Sequence, residues 1–115
     1  MIYVFVYGSL KKGYYNHHFL NKAKFIQKTY LKNYTMYYNC NNNYPSLYDI
    51  DNGYLVSGEI YEINKDILNQ LDILEEVGIL YKRVNVTILN YNCYVYVSLN
   101  KENNLVTVNN NIQEW

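Results

Sequence analysis

The sequence predicts an α+β fold: a mixed sheet curled toward a small barrel, carrying one main helix and short flanking helices. Three observations support this. Runs rich in β-branched and aromatic residues recur from the amino terminus to about residue 99. A single stretch, residues 65–75, keeps a helical period behind a capping asparagine. Half of the 115 residues are hydrophobic, with one proline and no Gly/Ser-rich linker, so residues 1–115 read as a single domain able to bury a core.

Residues 2–7 form a continuous apolar run that ends at Gly8-Ser9, the pattern of a central strand buried on both faces. They lack a basic leader segment, so a core strand is favoured over a signal peptide. Residues 16–24 are compatible with a short helix, and residues 25–38 have strand-like content with polar interruptions. Residues 55–63 alternate as a strand, with Gly58 marking a bulge or a close approach of another chain segment. Residues 84–89 and 93–99 read as two further strands, and Asn90-Tyr91-Asn92 suits the loop between them. A last short strand is expected at residues 105–108, while the Asn-rich stretches 39–43 and 103–111 read as surface loop and tail.

The helix contains an acid in an unexpected place. Side chains advance by about 100° per residue; with Leu68 at zero, Leu71, Ile67 and Leu74 fall at about −60°, −100° and −120° and form one apolar stripe. Glu75 falls at about −20°, inside that stripe, whereas Asp72 and Glu76 fall at about 40° and 80°, at its edge or outside it. A carboxylate on the core side loses hydration, and at a helix C-terminus it faces the unfavourable end of the dipole. Both effects raise its pKa toward the range useful to a general acid/base, which makes Glu75 the candidate catalytic residue. Periodicity alone leaves open the alternative that the helix stops at Leu74 and Glu75 turns into solvent, because helix ends vary by about two residues.

The turn after the first strand is the second candidate element. Gly8 permits a sharp bend, and successive amides at such a bend can bind an anion. Gly8-Ser9-Leu10-Lys11-Lys12-Gly13 matches neither a Walker A loop nor a dinucleotide-binding glycine motif, so an ordinary strand-turn remains the plain alternative.

Composition narrows the partners. The formal net charge is zero and the pI is near 6.7, which argues against a nucleic-acid interface despite 16 tyrosines able to stack on bases. No apolar run approaches the roughly 20 residues needed to span a bilayer. Cys40 and Cys93 stand far apart and outside any metal-binding spacing, consistent with two reduced thiols in a cytoplasmic protein.

Several motifs occur together in order. Val4-Phe5-Val6-Tyr7-Gly8-Ser9-Leu10-Lys11-Lys12-Gly13 with Asn16-His17 is followed by Tyr44-Pro45-Ser46-Leu47, then Val56-Ser57-Gly58-Glu59-Ile60-Tyr61. Leu71-Asp72-Ile73-Leu74-Glu75 and Tyr81-Lys82-Arg83 complete the series. This series resembles the γ-glutamylcyclotransferase-like superfamily, most closely its γ-glutamylamine cyclotransferase and AIG2-like branch. The resemblance covers residues 2–99 and implies a small mixed barrel. It implies a pocket shared by the Tyr7-Gly8-Ser9-Leu10 turn and Glu75, with Tyr81 as a further substrate-binding residue. The implied reaction converts a γ-glutamylamine, such as γ-glutamyl-lysine, to 5-oxoproline and free amine, with no metal and no cofactor. Glu75 is the general acid/base the resemblance implies. Action on γ-glutamyl-amino acids or glutathione, or ligand binding without turnover, are the alternatives. The expected partner is the small γ-glutamyl substrate, with no nucleic acid and no membrane, and the chain is expected to be a monomer or weak homodimer. Relatives often have Gly after the catalytic Glu and Pro in the next loop; here Glu76 and Val77-Gly78-Ile79-Leu80 stand there, which bears on substrate preference. His17, His18, Arg83 and Glu59 are assigned to structure or surface rather than to catalysis.

Overall fold

The structure is a computed structural model and describes residues 1–39, 45–99, 105–107 and 112–114. The strands are β1 (Ile2–Val6), β2 (Lys24–Leu31), β3 (Thr35–Asn39), β4 (Pro45–Tyr48), β5 (Leu55–Ile63), β6 (Tyr81–Ile88), β7 (Tyr91–Ser98), β8 (Leu105–Thr107) and β9 (Ile112–Gln113). One α-helix, α1 (Lys65–Leu74), joins β5 to β6, and short 3₁₀ turns cover Gly8–Leu10 and His17–Leu20. The larger sheet runs β2-β5-β1-β7-β6, with β9 also pairing with β5, and the smaller runs β4-β3-β8. The α+β class with one main helix and a large mixed sheet is as the sequence predicts. The described pairings form two sheets, and none of them closes the strands into a complete barrel.

β1 lies antiparallel to β5 and parallel to β7, at the centre of the large sheet. Its side chains alternate between two cores. Val4 and Val6 pack with Ile67, Leu68 and Leu71 of α1. Phe5 faces the other way, into a cluster with Val56, Ile60, Val95 and Val97 that Met36 and Leu47 of the small sheet complete. Burial on both faces explains the unbroken apolar run. Gly58 permits that packing: a Cβ there would sit 2.3 Å from Phe5 Cζ and 2.5 Å from the Val6 carbonyl oxygen. It is a close approach, while the register shift of β2 on β5 falls between Phe25 and Gln27.

Several expected boundaries shift. Residues 16–24 yield only the His17–Leu20 3₁₀ turn before β2 begins at Lys24. Residues 25–38 are split between β2 and β3 by a corner that holds Asn33 at φ 71°. The β6–β7 loop is the two-residue Leu89-Asn90 turn, both at positive φ (50° and 68°), so Tyr91 and Asn92 belong to the strand. β4 and β9 escape a reading by alternation because they are only four and two residues long. β9 is fixed by Gln113, whose buried side-chain amide donates to the Met36 carbonyl at 3.0 Å and accepts from the Met36 N–H at 2.5 Å. Val108, Cys40 and the stretches 40–43 and 103–104 lie outside the described residues. Cys93 is buried as a free thiol, and burial pushes its pKa up to about 11. No helix among the described residues is long and apolar enough to cross a membrane.

Candidate active site

α1 begins where the sequence places it: Asn64 Oδ1 accepts the Ile67 N–H at 2.8 Å, an N-cap. It ends at Leu74, with Glu75 as the C-cap at φ −84°, ψ −1°. The Glu76 N–H donates to the Ile73 carbonyl and the Val77 N–H to the Asp72 carbonyl, both at 3.1 Å. That pair of bonds is a Schellman motif, and its left-handed position is filled by Glu76 at φ 48°, where glycine is usual. The helix therefore does stop at Leu74. Glu75 nevertheless keeps a helical backbone, donates its N–H to the Leu71 carbonyl at 2.9 Å, and stays on the apolar side instead of turning into solvent.

A cavity of about 490 Å³ opens between this helix end, the 3₁₀ turn after β1, and strands β4, β6 and β7. Of the residues expected at the site, Tyr7, Ser9, Leu10, Glu75 and Tyr81 line it together. Gly8 does not. Its part is conformational: at φ 63° it bends the chain, with Pro45 packed where a side chain would project. The first N–H groups of a 3₁₀ turn have no intrahelical acceptor, and Ser9 and Leu10 of this turn line the cavity.

Burial raises the pKa of Glu75 to about 7. A carboxyl group at that value exchanges protons in either direction at neutral pH. The Tyr7 hydroxyl donates to the Tyr96 carbonyl at 2.8 Å and accepts the Leu47 N–H at 3.3 Å. Burial, with Tyr81 and Glu75 nearby, holds its pKa well above the ordinary value, so its proton stays with this internal bond. The Tyr81 hydroxyl hydrogen-bonds Ser46 Oγ, tying β6 to β4 at the cavity wall.

The structure adds residues that sequence reasoning did not place at the site. Asn16 lines the cavity, donates its side-chain N–H to Ser9 Oγ at 2.9 Å, and donates its backbone N–H to the Ser9 carbonyl at 2.8 Å. Its place in the amino-terminal motif, as Asn16-His17, was the available signal. Tyr96 also lines the cavity, and its hydroxyl donates to Asp72 Oδ1 at 2.8 Å; Asp72 also receives Arg83. Arg83 in turn stacks over the Tyr94 ring at 4.5 Å. Tyr14, Tyr15, Leu80 and Glu76 complete the outer wall.

The remaining polar candidates lie elsewhere. His17 bonds the Leu10 carbonyl through Nδ1 at 3.0 Å, bracing the turn from behind. Glu59 accepts the Lys12 N–H at 2.9 Å and the Tyr61 hydroxyl at 3.1 Å, and does not line the cavity. No three His, Cys, Asp or Glu side chains converge in a metal-binding arrangement among the described residues.

Comparison with known proteins shows the family and the fold. Residues 4–115 match the family model described as gamma-glutamyl cyclotransferase, AIG2-like. A candidate gamma-glutamylcyclotransferase of Methanocaldococcus jannaschii is 40% identical over 91 residues, covering 77% of this chain and 73% of that protein. Gamma-glutamylaminecyclotransferase A of Danio rerio is 38% identical over 92 residues, covering 74% of this chain and 57% of that one. Among solved structures, an AIG2-like protein from Mus musculus superposes with a TM-score of 0.76 at 29% identity, over 86% of this chain and 78% of the mouse protein. The chain belongs to the gamma-glutamyl cyclotransferase, AIG2-like family.

Proposed function

We propose that this chain is a γ-glutamylamine cyclotransferase that releases 5-oxoproline and a free amine, with Glu75 as the general acid/base. The observation that carries this reading is the placement of one carboxyl group, at a pKa of about 7, in the same cavity as the Ser9-Leu10 bend. Membership of the cyclotransferase family and the likeness to a fish gamma-glutamylaminecyclotransferase support it.

In this mechanism the substrate's α-amino nitrogen attacks its own γ-carbonyl carbon. A new C–N bond closes a five-membered lactam, and the original amide C–N bond breaks. The nucleophile is tethered to the electrophile, so holding the glutamyl chain in a folded conformation supplies much of the rate enhancement. The α-amine must lose a proton and the departing nitrogen must gain one; Glu75 takes the first and returns it to the second, leaving the carboxylate as it began. The backbone N–H groups of the Gly8–Leu10 turn serve the substrate carboxylate or the oxyanion of the tetrahedral intermediate. Tyr81 forms part of the wall against which the glutamyl chain folds.

The test is an assay of 5-oxoproline release from γ-glutamyl-lysine, γ-glutamyl-amino acids and glutathione. The native protein is expected to turn over γ-glutamyl-lysine best, and Glu75→Gln to lose about 10²- to 10⁴-fold in kcat. A folded Glu75→Gln protein with full activity would end the mechanism. A preference for glutathione would assign the chain to a different cyclotransferase branch.

A further inference from the structure

We infer that Asn16 is a positioning residue: its side-chain amide occupies a lone pair of Ser9 Oγ and so turns the Ser9 O–H into the cavity, as a fixed donor to an anionic oxygen of the substrate. The inference rests on the cyclotransferase reading and deepens it by these two side chains.

Asn16 precedes the His17–Leu20 3₁₀ turn, at the N-cap place where an asparagine usually accepts a backbone N–H through Oδ1. Here the side chain caps nothing. It reaches back to Ser9 instead, and Nδ2 donates to Ser9 Oγ at 2.9 Å. The backbone fixes both ends of that bond. The Asn16 N–H donates to the Ser9 carbonyl at 2.8 Å, and the Asn16 carbonyl accepts the Phe19 N–H at 3.2 Å. On the Ser9 side, the Lys11 N–H donates to the Gly8 carbonyl at 3.2 Å, and His17 Nδ1 holds the Leu10 carbonyl at 3.0 Å.

A serine hydroxyl carries one donor and two acceptor sites, and a free one rotates to present either. The Asn16 Nδ2 group can only donate, so it fixes Ser9 Oγ as the acceptor on that side. The Ser9 O–H must then point elsewhere, and among the described residues it has no acceptor. Ser9 and Asn16 both line the cavity that holds Glu75. A donor oriented before the substrate arrives needs no reorganisation as negative charge develops beside it. The substrate offers two such oxygens: its α-carboxylate, and the γ-carbonyl oxygen once the tetrahedral intermediate forms. An ionised acid at position 16 would reverse the polarity of the pair. A carboxylate has no proton to give, so it would accept the Ser9 O–H and draw it out of the cavity.

The experiment is a double-mutant cycle of Asn16→Asp with Ser9→Ala, read by 5-oxoproline release from the best γ-glutamyl substrate, with thermal unfolding to show that each variant is folded. Ser9→Ala is expected to lose about 10- to 100-fold in kcat/KM, the size of one hydrogen bond to a charged oxygen. Asn16→Asp keeps the side-chain shape and should cost about tenfold more in the native protein than in the Ser9→Ala background, where only its added charge acts. A loss carried by kcat assigns the donor to the oxyanion, and a loss carried by KM assigns it to the substrate carboxylate. Equal cost in the two backgrounds, or an Asn16→Asp protein as active as the native one, would overturn the inference. A readout independent of turnover is the exchange of the Asn16 side-chain N–H protons with water, followed by NMR. One of them should exchange roughly fivefold more slowly in the native protein than in Ser9→Ala, and equal exchange overturns the inference. If the native protein releases 5-oxoproline from no γ-glutamyl compound, the cyclotransferase reading itself fails, and the exchange rates still decide whether Asn16 donates to Ser9.

Discussion

Glu75 caps α1 and lines the cavity, and the pKa that burial raises has a thermodynamic consequence. The folded-state pKa lies above the unfolded value, so between about 4.5 and 7 the folded chain binds the proton more tightly. The stabilisation is greatest at acid pH and is lost as the pH rises through about 7, amounting to about 3 kcal/mol. Glu75→Gln should therefore be about 3 kcal/mol more stable than the native protein at pH 8 and close to it at pH 4.5, as read by urea denaturation at each pH. Equal stability at pH 8 would mean that Glu75 is well hydrated. Activity should move the opposite way: kcat/KM of the native protein should rise with pH through a limb near 7, as the general base ionises. The neighbouring position yields a separate prediction. Glu76 occupies the left-handed Schellman position, so Glu76→Gly should raise stability by about 0.5–1 kcal/mol in thermal unfolding, despite the extra freedom glycine has in the unfolded chain.

The end of α1 is held as a unit, and Asp72 is its clamp. One turn before Glu75, its carboxylate receives Arg83 from β6 and the Tyr96 hydroxyl from β7, and Tyr96 in turn accepts the Tyr7 hydroxyl at its carbonyl. Removing the Asp72 charge should cost about 1–3 kcal/mol, because it leaves a half-buried guanidinium without its counter-ion. A double-mutant cycle of Asp72→Asn with Tyr96→Phe should show about 0.5 kcal/mol or more of coupling, whereas additivity would mean that the two do not share a bond. This clamp could not be read from periodicity. Asp72 sits at about 40° on the helical wheel, an edge position equally suited to solvent, and its partners lie 11 and 24 residues away. The N-cap and the apolar stripe were legible because they are local to the helix. The hairpin turn was displaced because Leu89, a residue that disfavours positive φ, takes the first turn position, where residue preference points to asparagine or glycine.

At the scale of the molecule, the large sheet separates two apolar clusters, one under α1 and one shared with the small sheet, and β1 contributes to both. The cavity forms where the carboxyl end of β1, the end of α1 and β4 meet, so the site depends on the seating of β1 against β5. Gly58 sets that distance. Gly58→Ala would place a methyl group 2.5 Å from the Val6 carbonyl oxygen, a backbone atom that cannot rotate away, and 2.3 Å from Phe5 Cζ. It should cost about 1–3 kcal/mol or more in chemical denaturation, the range for overpacking a tight core; a neutral result would show that the two strands can separate locally. Gly58 was legible as a close approach because glycine inside a strand has few other reasons to be there. The two-sheet arrangement was not, because it depends on short strands such as β4 and β9, whose pairing is decided by distant partners like Gln113 and Met36. The cavity's lining was equally hidden, since Tyr14 and Tyr15 look like any exposed loop tyrosines until the fold brings them to the same cavity as Glu75.

The most direct test of the account is the ionisation of Glu75 itself, followed through its side-chain carboxyl ¹³C resonance across pH 3–9. A midpoint near 7, shifted when a γ-glutamyl ligand enters the cavity, is the predicted result. A midpoint near 4.5, the value of a hydrated glutamate, would contradict it and leave this helix end without its proposed acid/base.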